Sequence, residues 1–109
     1  MAEPPLQIAP SELARWRAAG QAVVVLDVRE AWELAICRLP DSLAIPLGRL
    51  PDRHGELPRD VPLVVLCHHG VRSMNATLWL RRAGFGNAVN LAGGIDAWSR
   101  DVDPFCPVY

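Results

Sequence analysis

Seven consecutive residues, Cys67-His68-His69-Gly70-Val71-Arg72-Ser73, bring together a thiol, two imidazoles, a glycine, a guanidinium and a hydroxyl. They follow the apolar run Leu63-Val64-Val65-Leu66 and precede a segment of helical character, so the thiol stands where a strand ends and a helix begins. A helix amino terminus offers unpaired N–H groups and a partial positive charge, and both favour thiolate over thiol. This setting suits a nucleophilic cysteine. Gly70 lets the loop take positive φ and turn its amides inward as a nest for an anion. Arg72, permanently charged and forked, is suited to grip an oxyanion.

Plainer readings compete with this one. A cysteine ending an apolar strand is often a small buried hydrophobe, but structural packing has no need of the polar residues crowded after Cys67. His68 and His69 with Cys67 could ligate a metal, yet three consecutive residues seldom meet one ion, and no paired Cys or His motif elsewhere completes a site. Neither metal nor cofactor is expected. Gly84-Phe85-Gly86 follows a helix instead of a strand and reads as a turn, as does Gly93-Gly94 before the last helix. The four tryptophans read as core or cover residues, since none clusters with basic side chains.

The surrounding chain narrows the classes further. Its 109 residues, half of them apolar, suffice for one hydrophobic core, so residues 1–109 are expected to form a single domain. Eleven basic residues, all arginine, face twelve acidic ones, which leaves no field to draw nucleic acid or an anionic membrane. With no lysine, Schiff-base chemistry and a phosphate-loop lysine drop out. Three cysteines at irregular spacing argue against the disulfide framework of small secreted proteins and leave at least one thiol free. The start of the sequence lacks signal-peptide character, and the longest apolar runs, of five residues, fall far below the roughly 18 of a membrane span. A cytoplasmic protein is the expectation.

Punctuation sets the elements that must position Cys67. Residues 11–19 read as a helix, 23–26 as a buried strand, 30–35 as one or two helical turns, and 42–45 as a short strand between prolines. Residues 48–50 read as a turn and 63–66 as a second buried strand. A helix is expected over 73–83, with Ser73 as its cap and Leu78 and Leu80 as core anchors; strand 88–91 and helix 94–100 follow. Strands alternating with helices, two of them apolar on both faces, predict an α/β fold: a small, mostly parallel central sheet flanked by helices on both faces. Ligands of such sheets sit beyond the carboxyl ends of the strands, where Cys67 lies.

In order and spacing, several short pieces resemble a single-domain rhodanese, a persulfide-forming sulfurtransferase, over nearly the whole chain. They are residues 8–13, Leu26-Asp27-Val28-Arg29 followed by Glu33, Ile45-Pro46, the loop from Cys67 to Ser73, Ala83-Gly84-Phe85, and Leu91-Ala92-Gly93-Gly94-Ile95 with Trp98. The resemblance implies that the Cys67 thiolate takes sulfane sulfur from thiosulfate or a related donor and holds it as a persulfide. The amides of His68, His69, Gly70, Val71, Arg72 and Ser73 would cradle it, and cyanide or a thiol would then collect the sulfur. Arg72 would orient the donor and stabilise departing sulfite, with His68 and His69 adding polarity and partial positive charge. Asp27, Arg29 and Glu33 form a family signature read here as structural, tying the neighbouring strand-end loop by ion pairing.

Two alternatives use the same scaffold. One is a non-enzymatic sulfur carrier or interaction module, with a protein persulfide as donor or acceptor. The other is a phosphatase-like or arsenate-reducing enzyme, which the loop length opposes: four residues separate Cys67 from Arg72, one fewer than in those relatives. The chain departs from the family at Cys37, Arg38, Leu39, Pro40, Asp41 and Ser42, where the pattern runs glycine, histidine, aliphatic, proline, glycine, alanine. Two lost glycines imply a different loop path at the pocket rim. Cys37 reads as a chance substitution before a second redox thiol, and Cys106 as a packed or idle residue.

Overall fold

Runs of leucine and valine without polar alternation have no face to give to water, so they form strands covered on both sides. In the computed structural model, which describes residues 4–109, these are β2 (Val24–Asp27), β4 (Leu63–Leu66) and β5 (Ala88–Leu91), joined by the short edge strands β1 (Gln7–Ile8) and β3 (Leu43–Ala44). The strand order is β1-β5-β4-β2-β3 and every pairing is parallel, with Val65 of β4 between Leu26 and Asn90. The expected α/β architecture is the one observed.

Alternation along β4 divides the core in two. Leu63 and Val65 pack with Leu50, Leu80 and Phe85, on the side of α3 (Leu50–Arg53) and α4 (Val71–Arg82). Val64 and Leu66 pack with Leu13, Ile95 and Trp98, on the side of α1 (Pro10–Ala18) and α5 (Gly94–Asp101). All four β4 side chains are fully buried, each worth about 1.5–3 kcal/mol over exposure, so the strand carrying Cys67 is held from both faces. Parallel pairing brings the carboxyl ends of β2, β4 and β5 to one edge. The short helix α2 (Ala31–Ile36) follows β2 at that edge.

Several local expectations change. α4 begins at Val71, because Gly70 at φ +99° caps it; Ser73 is therefore no cap but lies inside the first turn, buried. Leu78 is exposed, and the inward positions of α4 are Ala76, Thr77 and Leu80. Trp32 stands 64 % exposed on α2 and is not a core residue. The turn read at 48–50 is a 3-10 turn, Leu47–Arg49, running into α3, whose Pro51 fits the first helical turn. Cys37 and Cys106 are neither idle nor incidental: they form a disulfide with Cα atoms 5.6 Å apart across 69 residues, leaving Cys67 as the free thiol. Among the described residues, no helix is long and apolar enough to cross a membrane.

Candidate active site

β4 delivers Cys67 to the sheet edge, and the next six residues curl round its sulfur. Gly70 N–H donates to Sγ at 3.1 Å, Ser73 N–H at 3.3 Å, and the Ser73 hydroxyl lies at 3.3 Å. These donors converge because Gly70 adopts φ +99°, where a Cβ would also crowd Gly93 N at 3.1 Å. The loop is fastened from behind by α5, whose first free amides, Ile95 and Asp96, donate to the carbonyls of Cys67 and His68 at 2.8 and 3.0 Å. Gly94, at φ +61°, is required there, since a Cβ would sit 2.6 Å from the His68 carbonyl oxygen. Cys67 itself is only 1 % exposed. Two backbone N–H donors at a sulfur on a helix amino terminus, with the Ser73 hydroxyl beside them, suit an anionic sulfur, whether thiolate or persulfide.

Asn90, which the sequence reading passed over, completes this cradle. It is buried on β5, accepts from Ser73 Oγ at 2.5 Å, and donates through Nδ2 to Gly70 O and Gln7 Oε1, both at 3.3 Å. A lone asparagine in an otherwise apolar strand was the available signal, because a buried amide is retained only with partners.

The signature residues divide between two ion pairs. Asp27 and Arg29 are wholly buried and paired at 2.8 Å, and the same guanidinium donates to the carbonyls of Cys37 and Glu33. Glu33 instead sends its carboxylate to the loop: Arg72 Nη1 and Nη2 reach its two oxygens at 2.7 Å each. That grip holds the Glu33 carboxyl at about 2, far below its ordinary 4.5, and raises Arg72 further. Arg72 thus stands bidentate on Glu33, with its side chain still 36 % exposed.

Tyr109 is the other residue at the site with no local signal in the sequence. Its hydroxyl donates to Glu33 Oε2 at 2.7 Å and accepts from Arg29 Nη1 at 3.0 Å; burial pushes its pKa up. Its ring stacks on His68, which stacks in turn on His69. Ligand atoms of His68, His69 and Asp96 lie within 4.8 Å of one another, but Asp96 is engaged by Arg100 and His68 by Tyr109. A cleft of about 330 Å³ opens beside the loop, lined in part by Gln7, His69, Val71 and Asn90. A larger groove of about 470 Å³, between α3 and α4, lies away from Cys67.

Comparison with known proteins agrees with this geometry. The rhodanese-like domain family matches residues 9–101. A sulfurtransferase of Allochromatium vinosum is 36 % identical over 94 residues, covering 86 % of this chain and 88 % of that protein. The probable adenylyltransferase/sulfurtransferase MoeZ of Mycobacterium tuberculosis is 36 % identical over 104 residues, 94 % of this chain but 26 % of its own length. Among solved structures, a rhodanese-related protein of Thermoplasma volcanium superposes with a TM-score of 0.79 at 34 % identity, covering 94 % and 96 % of the two chains. The human single-domain sulfurtransferase TSTD1 gives 0.77 at 26 % identity, covering 90 % and 98 %. Sheet order, cradle and these likenesses agree, and the chain belongs to the rhodanese-like domain family.

Proposed function

We propose that this chain is a single-domain sulfurtransferase that carries sulfane sulfur on Cys67. The carrying observation is the sulfur of Cys67 facing two backbone N–H donors from its own loop, with the Ser73 hydroxyl 3.3 Å away, at the end of the central strand. In the first half-reaction the Cys67 thiolate attacks the outer sulfur of thiosulfate; the S–S bond of the donor breaks and sulfite leaves with the electron pair. In the second, cyanide or a thiolate attacks the outer sulfur of the persulfide and Cys67 leaves as thiolate. The loop amides stabilise the anion in both free and loaded forms. Arg72 contributes to donor binding through the exposed part of its guanidinium while Glu33 fixes its orientation, and His68 and His69 add polarity at the mouth. Val71 serves through its backbone at the first position of α4. Asp27 and Arg29 brace the strand end. Cytoplasmic thiols suit the acceptor role.

The test is intact mass after incubation with thiosulfate. One sulfur added to the wild-type protein and none to Cys67→Ser is the expected result; no addition to either, or addition to both, overturns the reading. The relation to MoeZ, in which the matching region is 26 % of the protein, supports a second reading: a carrier loaded by a partner protein. That reading predicts loading by a protein persulfide and none by thiosulfate.

A further inference from the structure

Cys106 and Tyr109 lie beyond residues 9–101, the stretch matched by the family. After α5 the chain turns back: Cys106 N–H donates to Asp103 O, and Cys106 is bonded to Cys37 just past α2. Cys37 is itself held, its carbonyl accepting from the buried Arg29 at 2.6 Å. Three residues after this anchor, Tyr109 reaches both ends of the loop around Cys67. At one end its main-chain oxygen takes a bond from His68 Nε2 at 2.6 Å while the two rings stack 3.8 Å apart and nearly parallel. At the other its hydroxyl holds Glu33, the partner of Arg72. The Trp32 and Tyr109 rings meet in a T-shaped contact, their centroids 6.0 Å apart.

We propose that Tyr109, clasped in place by the Cys37–Cys106 disulfide, is a specificity-determining residue that covers the cradle and limits the size of donor that reaches Cys67. This rests on the reading of Cys67 as the sulfur-carrying nucleophile. A thiosulfate-sized anion needs room for one terminal sulfur; a peptide-like or protein persulfide needs its thiol-bearing chain to lie across the loop where Tyr109 sits. With the clasp intact, small donors are favoured. With Tyr109 removed or the clasp opened, bulky donors gain access and small ones gain little.

The cover is tested without relying on sulfur transfer. Alkylation of Cys67 by iodoacetamide and by a fluorescein maleimide is followed on the Cys67 peptide by mass spectrometry, in the wild type, in Tyr109→Ala and in Cys37→Ser/Cys106→Ser. The ratio of bulky to small reagent rates is expected to rise on the order of tenfold in both variants, the scale set by losing the hydrogen bonds of closure. An unchanged ratio overturns the proposal, and so does an equal rise for both reagents, which signals general loosening. Loading by thiosulfate and by glutathione persulfide is measured in parallel: a wild type that takes sulfur from neither refutes the reading of Cys67 as a nucleophile toward small donors, while the alkylation ratio still decides whether Tyr109 is a cover.

Discussion

Replacing Glu33 by glutamine removes one charge from the pair that ties α2 to the nucleophile loop and keeps the side chain's shape. The two Arg72 hydrogen bonds hold this carboxyl at about 2 against an ordinary 4.5, a preference for the ionised form worth about 3 kcal/mol in the folded state. Glutamine mimics the protonated form and turns an N–H toward donors already there, so Glu33→Gln should cost about 3 kcal/mol near neutral pH, measured by urea unfolding. The sign with pH follows from the direction of the shift. A carboxyl whose pKa is depressed on folding stabilises fully above its unfolded value, near 4.5, and that contribution fades as pH falls toward 2. The wild type should therefore lose stability across this window, the variant should lack that loss, and the two curves should converge near its lower end. A gap below about 1 kcal/mol at neutral pH, or one that persists unchanged into acid, refutes the assignment of this pair as the tie.

Three further perturbations test the cradle and its anchors. Ser73→Ala removes the hydroxyl that lies 3.3 Å from Sγ and ties the loop to Asn90, and should slow persulfide formation about 10- to 100-fold, followed by mass; an unchanged rate removes the hydroxyl from the mechanism. Gly94→Ala puts a methyl 2.6 Å from the His68 carbonyl oxygen in a left-handed backbone, and a loss of at least about 2 kcal/mol in urea is expected; a neutral effect contradicts the packing of α5 on the loop. Cys37→Ser/Cys106→Ser opens a link spanning 69 residues and should cost about 4 kcal/mol, with the wild type falling to the same level under a dithiol reductant; equal stability in oxidising buffer counts against the bond.

What the sequence makes legible is what lies contiguous in it. Leu63-Val64-Val65-Leu66 announces a doubly covered strand, and the loop after it announces an anion nest, because strand, turn glycine and helix start succeed one another within eleven residues, 63–73. Ser73 was open to misreading as a cap for the same local reason: serine near a helix start is the common cap, and only the left-handed Gly70 shows that the helix begins earlier. The rest of the site is assembled from afar. Glu33 meets Arg72 across 39 residues, Asn90 meets Ser73 across 17, and Tyr109 meets Glu33 across 76. No periodicity reports such pairings, since they depend on strand order. Likewise β1, two residues long, exists only because β5 offers it a partner edge.

The long-range pairing also changes what Arg72 does. Read alone, it is the loop's free cation and a beacon for anionic donors. Paired bidentate with a carboxylate that is 3 % exposed, it presents little net charge at a distance, and binding of an anion rests on contact with the converging amides, the dipole of α4 and the exposed part of the guanidinium, all of which act only within a few ångströms. Binding of thiosulfate should then depend weakly on ionic strength, because screening acts on long-range fields more than on contact hydrogen bonds. Glu33→Gln unmasks the guanidinium, so its KM for thiosulfate should fall at low salt and climb more steeply with added salt than that of the wild type. Parallel salt dependences in the two proteins would show that Glu33 does not neutralise Arg72 where the donor approaches.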